Sequence, residues 1–377
     1  MYHFRRNLTL WCMRVFFVAG SFFRKGRATH RRGVAGVGRF VVDPELALPH
    51  HDFFTPGRVY RATLRHGNVA NDDDAGLDIR GAALKLVDLE DPDKPGLDLI
   101  MNTGEVTFST ARVFFRYARA TAPRPWHDTP TNERGLRRFL ERDPRARAQF
   151  VEALRRAPSS FASLAYYSKI VYAYRALDGR RRYARFRLVP DGVDVDSGLP
   201  DDHDLAAPWS AERRPGETRP HDYLRQEFKQ RLSAPEGVRY HLELQLREPP
   251  DDNEVDPALF DPGERWPDAW QRLGTVHLTR RASDVEAEQL WFDLDHHPTS
   301  LDLLESFSPD DFHSVAWTRI RIYRASQAVR SAVFWRHQRK LAKTRHIDQT
   351  ARGTHGLTAD QRRDTSIWTL ITKHMRR

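Results

Sequence analysis

The sequence predicts an α+β fold with an antiparallel sheet. Three observations lead there. Runs alternating apolar and polar residues cluster in the first hundred residues, helical spacing takes over between 134 and 156, and alternating runs then return. No internal repeat and no sustained heptad competes with that pattern. With 40% hydrophobic and 30% charged residues, the chain has the composition of a folded globular protein rather than a disordered one.

Each element follows from local chemistry. Leu8 to Phe23 (LTLWCMRVFFVAGSFF) follows Arg5 and Arg6 and imitates a secretion signal. Arg14 interrupts it, no small-residue cleavage site follows, and it is short for a membrane span. It is expected as a helix lying on the core or on a membrane surface. Gly33 to Gly38 reads as a glycine-rich bend, with a strand from Arg39. Val59 to Leu64, Ala82 to Val87 and Leu97 to Met101 read as strands around the polar loop Asn71 to Gly76. Arg134 to Arg156 reads as a helix stopped by Pro158. Strands are expected again at Ser168 to Tyr174, Arg182 to Val189 and Val238 to Leu246, with a helix over Tyr223 to Leu232. The stretches Pro190 to Pro220 and Pro249 to Pro267 are long loops expected to cover something. The implied organisation is an apolar helix at 1–25, a main domain at 26–335 and a basic helical tail at 336–377.

The net charge of +10 and pI near 9.8 favour anionic partners. The basic residues are interleaved with acidic ones, which argues against a nucleic-acid arm. The single cysteine, Cys12, excludes an internal disulfide and fits a reducing cytoplasm; it reads as a small buried hydrophobe. The pairs His50–His51 and His296–His297 have no partners at metal-ligand spacing, and Asp72 to Asp74 lacks a calcium loop's closing Glu. No GxGxxG or P-loop is present.

Three regions stand out together: GRATHRRGVAGVGRF from Gly26; VYRATLRHG from Val59 with LDIRGAALKL from Leu77 and LDLIMNTGE from Leu97; and TRIRIYRASQAVR from Thr318. At these residues the sequence resembles the heme catalase superfamily, and most of all its short catalase-related allene oxide synthases. FFTPGRVYRATLRHGN, DDAGLDIR, VEALRRAP, RPHDYLRQE and SLDLLESFSPDDF add to that resemblance, which spans about Gly26 to Arg330. It implies a closed antiparallel β-barrel with surrounding helices and a heme b, in the ferric state, buried between the two.

The resemblance also implies roles. Tyr323, four residues after Arg319, matches the axial iron ligand. A phenolate suits ferric iron, but a free phenol has a pKa near 10, so a cation such as Arg319 must stabilise the anion. His30 matches the histidine that moves a peroxide proton between oxygens. Asn102 matches the amide that holds the bound oxygen, and Thr63 the hydroxyl that orients the imidazole. Arg27, Arg61 and Arg330 match the arginines of the heme propionates. Phe115 is a candidate for stacking on the porphyrin. Taken singly, each of these reads as an ordinary core or surface residue.

Departures from large catalases are equally specific. Thr29 replaces an apolar residue before His30, where a hydroxyl can hydrogen-bond peroxide and slow hydrogen peroxide disproportionation. Thr103 and Glu105 alter the amide motif. The support for the proximal arginine falls at Arg187, and the acidic member of that relay is replaced near His313. The long N-terminal arm and the flavodoxin-like part of catalases have no counterpart, so neither an NADPH site nor a tight tetramer is expected; a homodimer and a peripheral membrane contact stay open. The implied activity is dehydration of a polyunsaturated fatty-acid hydroperoxide to an allene oxide and water. The alternatives are a hydroperoxide lyase, an epoxyalcohol synthase, an organic peroxidase, a catalase, or a non-enzymatic heme or lipid carrier.

Overall fold

VYRATLRHGN places Tyr60, Ala62, Leu64 and His66 on one face and Arg61, Thr63 and Arg65 on the other, as a two-residue period requires. The computed structural model describes residues 1–23, 26–122, 132–249 and 259–345, with side chains described to residue 333. In it this strand, β2 (Val59–Asn68), lies between β1 (Gly33–Val42) and β3 (Leu77–Asp88). The ladder continues through β4 (Leu97–Asn102) and β6 (Tyr166–Tyr167) to β8 (Arg181–Pro190). On the other side it runs through β10 (Gln271–Arg281) to β9 (Val238–Arg247). Pairing of β8 with β9, from Tyr183–Arg247 to Pro190–Tyr240, closes an eight-stranded antiparallel barrel. Closure leaves these strands without a free edge. Strands β7 (Tyr172–Arg175) and β11 (Leu301–Leu303) extend the sheet from β8, and β5 (Leu154–Arg156) pairs with β3.

The barrel interior is filled by side chains including Phe40, Tyr60, Leu84, Leu99, Phe186 and Tyr240, so it is a core and not a channel. His66 sits inside it, stacked on Phe161 at 5.1 Å and within 2.9 Å of the Tyr240 hydroxyl.

Four expectations need correction. Residues 33–38 are not a bend but the first half of β1, with a bulge at Val37–Gly38. A Cβ on Gly38 would stand 1.9 Å from the His277 carbonyl oxygen, so the glycine serves close strand approach. The single helix expected at 134–156 is two helices and a strand: α3 (Glu133–Arg142), α4 (Pro144–Ala153) and β5. Pro144 cannot continue α3 and instead opens α4, which Asp143 caps through the Ala146 amide. Of the strand expected at 168–174 only the end forms, as part of β7, while β6 lies just before it and β10 was not foreseen. The expected Trp335 boundary falls within one helix, α8 (Ser314–Arg345); residues 346–377 lie outside the described residues.

Helix α1 (Tyr2–Phe23) packs Met13, Phe17 and Val18 against α8 and against α2 (Ala111–Thr121). The two serines Ser21 and Ser326 share a 2.6 Å hydrogen bond where α1 and α8 run together. Buried Asp98 fixes α8 to the barrel. It takes a 2.6 Å ion pair from Lys85, the His296 ring at 2.9 Å and the Asp293 amide at 2.8 Å. Asp293 and Asp295 in turn hold Arg324 of α8 at 2.7 and 2.6 Å.

Candidate functional site

Between the outer barrel wall and α8 lies a cavity of about 720 Å³, counting its mouth. The barrel side is built from small residues, Gly67, Gly81, Ala82 and Ala83, which keep the wall flat and close to the strands. The helix side presents Tyr323, Ser326, Gln327 and Arg330. Phe17 of α1 closes one edge, stacked on Phe114 at 6.1 Å.

His30 enters from the segment before β1. Its φ of 52° is unusual for a residue with a side chain, at a cost of about 1–3 kcal/mol, and the surroundings hold it there. Its amide donates to the Val69 carbonyl at 3.0 Å, and its carbonyl accepts from Arg65 Nη2 at 3.1 Å. The ring is fixed from both sides: Nδ1 is 3.2 Å from the Thr29 hydroxyl and Nε2 is 3.3 Å from Asn102 Oδ1. Burial, reinforced by the charges of Arg65, Arg27 and Arg319 and opposed by Asn102, pushes its pKa down to about 3. The imidazole is therefore neutral near pH 7 and ready to accept a proton.

Tyr323 faces the same cavity, and Arg319 Nε, one helical turn earlier, donates to its hydroxyl at 3.2 Å. His30, Asn102, Thr29, Tyr323, Arg319, Arg27 and Arg330 are thus brought to one place. Phe115 is half-buried in the cluster that includes Tyr323, but it is not on the cavity wall; Phe17 stands there instead.

Two expected residues stand elsewhere. Arg61 is exposed and outside the cavity, and Thr63 does not line it. Positions 61, 63 and 65 share the outer face of β2, about 6.8 Å apart in succession, and only Arg65 reaches the site. Gly33 makes this possible, since a Cβ there would be 2.3 Å from the Arg65 guanidinium carbon. The hydroxyl that meets the imidazole belongs to Thr29. Nor does Arg187 support Arg319: it pairs with Glu243 at 2.6 Å and stacks on Trp270. The buried group that feels the Arg319 charge is Lys169, at φ 56°, donating to the Thr103 carbonyl at 3.3 Å. Burial lowers its pKa well below the usual lysine value. Nothing in the local sequence distinguishes this lysine from an exposed one. His50–His51 and His296–His297 serve structure, with His51 on the Ser300 carbonyl and His296 on Asp98; no metal cluster forms among the described residues.

The residues present fit a heme. Buried Arg65 and Arg330 and half-buried Arg27 gather three cations at one cavity, and Glu288, 3.1 Å from Arg65, is the carboxylate set against them. Burial lowers the pKa of all three, reinforced for Arg27 and Arg330 by the neighbouring arginines and opposed at Arg65 by Glu288, with Arg330 at about 10. Arg27 Nε, Arg330 Nη1 and Gln327 Oε1 are buried without hydrogen-bond partners. A ligand bearing two carboxylates at this edge would satisfy the two guanidinium donors and neutralise that charge.

Comparison with known proteins agrees with this geometry. Residues 25–338 match the family model described as Catalase. The chain is 36% identical over 313 residues to an allene oxide synthase-lipoxygenase protein of Plexaura homomalla, covering 81% of this chain and 28% of that protein. It is 30% identical over 327 residues to a linolenate 9R-lipoxygenase of Nostoc sp., covering 85% and 40%. The chain therefore spans less than half the length of either relative. Among solved structures, catalase A from Saccharomyces cerevisiae superposes with a TM-score of 0.64 at 18% identity, over 83% of this chain and 63% of that one, a likeness of fold.

Proposed function

The chain belongs to the catalase family, and from that premise we propose that it holds a ferric heme b in the cavity between barrel and α8 and dehydrates a polyunsaturated fatty-acid hydroperoxide to an allene oxide and water. The observation that carries the reading is the neutral His30, pinned between Thr29 and Asn102 in the cavity that Tyr323 also faces.

When bound, heme iron supplies the one-electron chemistry that breaks the peroxide O–O bond. Tyr323 would hold the iron through its phenolate oxygen, and the Arg319 hydrogen bond stabilises that anion. Arg27, Arg65 and Arg330 would hold the propionates. In the tautomer whose Nδ1–H donates to Thr29, His30 Nε2 offers a lone pair to the hydroperoxide proton, and Asn102 Oδ1 accepts from Nε2–H once that proton has moved. The same nitrogen returns that proton to the departing oxygen, which leaves as water once it has also taken the hydrogen lost by the substrate carbon that becomes part of the allene oxide double bond. The Asn102 amide lies beside Nε2 and orients the peroxide against it.

The preference for a fatty-acid hydroperoxide over hydrogen peroxide rests on the Plexaura relative's name and on Thr29, a hydroxyl beside the acid–base group. The test uses the heme-loaded chain and a conjugated-diene fatty-acid hydroperoxide. Rapid loss of diene absorbance, with a product lighter by one water that hydrolyses to a ketol, is expected. Short aldehydes would assign a lyase, an isomeric epoxyalcohol a synthase of that class, a simple alcohol a peroxidase, and vigorous oxygen release from hydrogen peroxide a catalase. Unchanged hydroperoxide would make the protein a carrier.

A further inference from the structure

Helix α1 buries one face against α2 and α8 and leaves the opposite face bare. Phe4, Leu8, Trp11, Val15 and Phe22 fall at helical spacing along that bare face, with Ala19 completing the line, and the first three are 50–71% exposed. A continuous ridge of large apolar and aromatic side chains facing solvent is unusual for a folded surface and marks a contact site. No described helix is long and apolar enough to cross a membrane, so the ridge lies along a surface rather than spanning one.

Charge identifies the occupant. Beside α1, where Phe16 meets Phe115 at 6.3 Å, helix α2 exposes Arg119, with Arg112 and Arg116 at the same helical spacing paired to Asp310 and Asp143. The ridge ends at Arg24 and Lys25 in the sequence. Helix α8 runs parallel to α1, with Arg6 over Trp317 and Val18 packed with Val329 and Val333, and its backbone then continues past the Phe22 end to Arg345. Residues 336–377 carry eleven Lys and Arg against three Asp, a surplus of eight out of the chain's net +10. Five of those cations and no acidic residue fall on 336–345, the part of α8 whose backbone continues past the apolar ridge. Two such faces from two copies would repel, whereas an anionic bilayer satisfies both features.

We propose that α1 is a monotopic anchor that seats Phe4, Leu8, Trp11, Val15 and Phe22 in the interface of an anionic lipid bilayer, with the basic end of α8 near its headgroups. This does not depend on the reaction catalysed. The test is co-sedimentation of the full-length protein with phosphatidylcholine vesicles with and without phosphatidylglycerol. Pelleting with the anionic vesicles is expected, weakening as salt rises. The triple variant Phe4→Ser, Leu8→Ser, Trp11→Ser should lose at least about tenfold in partitioning, with melting temperature and absorption spectrum unchanged. Trp11→Ser alone should weaken it less, which guards against a folding defect in the triple variant. Wild-type protein left in the supernatant with anionic vesicles at low salt overturns the proposal, as does a triple variant that pellets equally. A vesicle-free wild-type dimer that the triple variant dissolves would instead give the ridge to a second copy.

Discussion

Gly81 lies so near His30 that a Cβ on it would stand 2.4 Å from Nε2 and 3.1 Å from Asn102 Oδ1. The glycine is in β3, on the cavity wall, and its backbone needs no left-handed conformation. Its role is space. Gly81→Ala should push the imidazole off its line with Asn102 while leaving Tyr323 and the arginines untouched. We expect heme retention and a normal Soret band, with hydroperoxide turnover lowered by about 10²–10³-fold, the scale of a lost acid–base group. His30→Ala should cost as much, and the double variant no more. Full activity in Gly81→Ala would show that the position of His30 does not matter.

The propionate assignment makes a second, sharper distinction. Arg65 is buried at the cavity beside Arg27 and Arg330, while Arg61 is exposed two pairs of residues away from that role. Arg65→Ala should therefore lower heme occupancy and speed heme loss to apomyoglobin, and Arg61→Ala should do neither. Because Arg65 also donates to the His30 carbonyl, its loss should lower turnover per bound heme as well. Equal heme loss from both variants would reinstate the assignment made from sequence.

That exchange shows where the sequence stops being legible. The α+β class and the antiparallel sheet could be read because alternation encodes them, and the coincidence of His30, Asn102 and Tyr323 because their motifs resemble those of a known family. Arg61 and Arg65 could not be told apart, since both point to the outer face of one strand and only the space left by Gly33 decides which reaches inward. Thr63 was displaced by Thr29 for a related reason. The left-handed turn at His30 folds its own neighbour's hydroxyl back onto Nδ1, a local geometry that residue order does not announce. Lys169 stayed hidden because its chemistry comes from burial alone.

Two histidines make the fold sensitive to acid. Burial, as the leading cause, pushes both His30 and His66 from the ordinary value to about 3. Between pH 6.5 and 3 the unfolded chain then binds up to two more protons than the folded one. Stability is fully present above pH 6.5 and falls as pH drops toward 3, by about 1.4 kcal/mol per pH unit for each histidine. Denaturant midpoints measured across this window should shift steeply, and His66→Gln should flatten the slope by one proton without touching the cavity. An unchanged slope would mean that His66 is not buried as a neutral ring. Turnover, in contrast, should not fall between pH 8 and 5, because His30 keeps its lone pair throughout.

Thr29 is the residue on which substrate choice turns. Its hydroxyl is 3.2 Å from His30 Nδ1 and lines the cavity, so it touches both the acid–base group and the space for peroxide. Thr29→Val keeps the shape and removes the hydrogen bond. Without that partner, Nδ1–H is left buried and unpaired, and the ring loses the hydrogen bond that sets its orientation. Turnover of the bulky fatty-acid hydroperoxide, which needs one fixed ring orientation, should fall by about tenfold, the scale of a single lost hydrogen bond. Oxygen release from hydrogen peroxide should rise, since the small substrate needs no fixed partner and loses a competing hydroxyl. Measuring both rates in one preparation, normalised to Soret absorbance, separates this from a loss of heme. If both rates fall together, Thr29 merely orients the imidazole; if neither moves, the hydroxyl does nothing for the reaction.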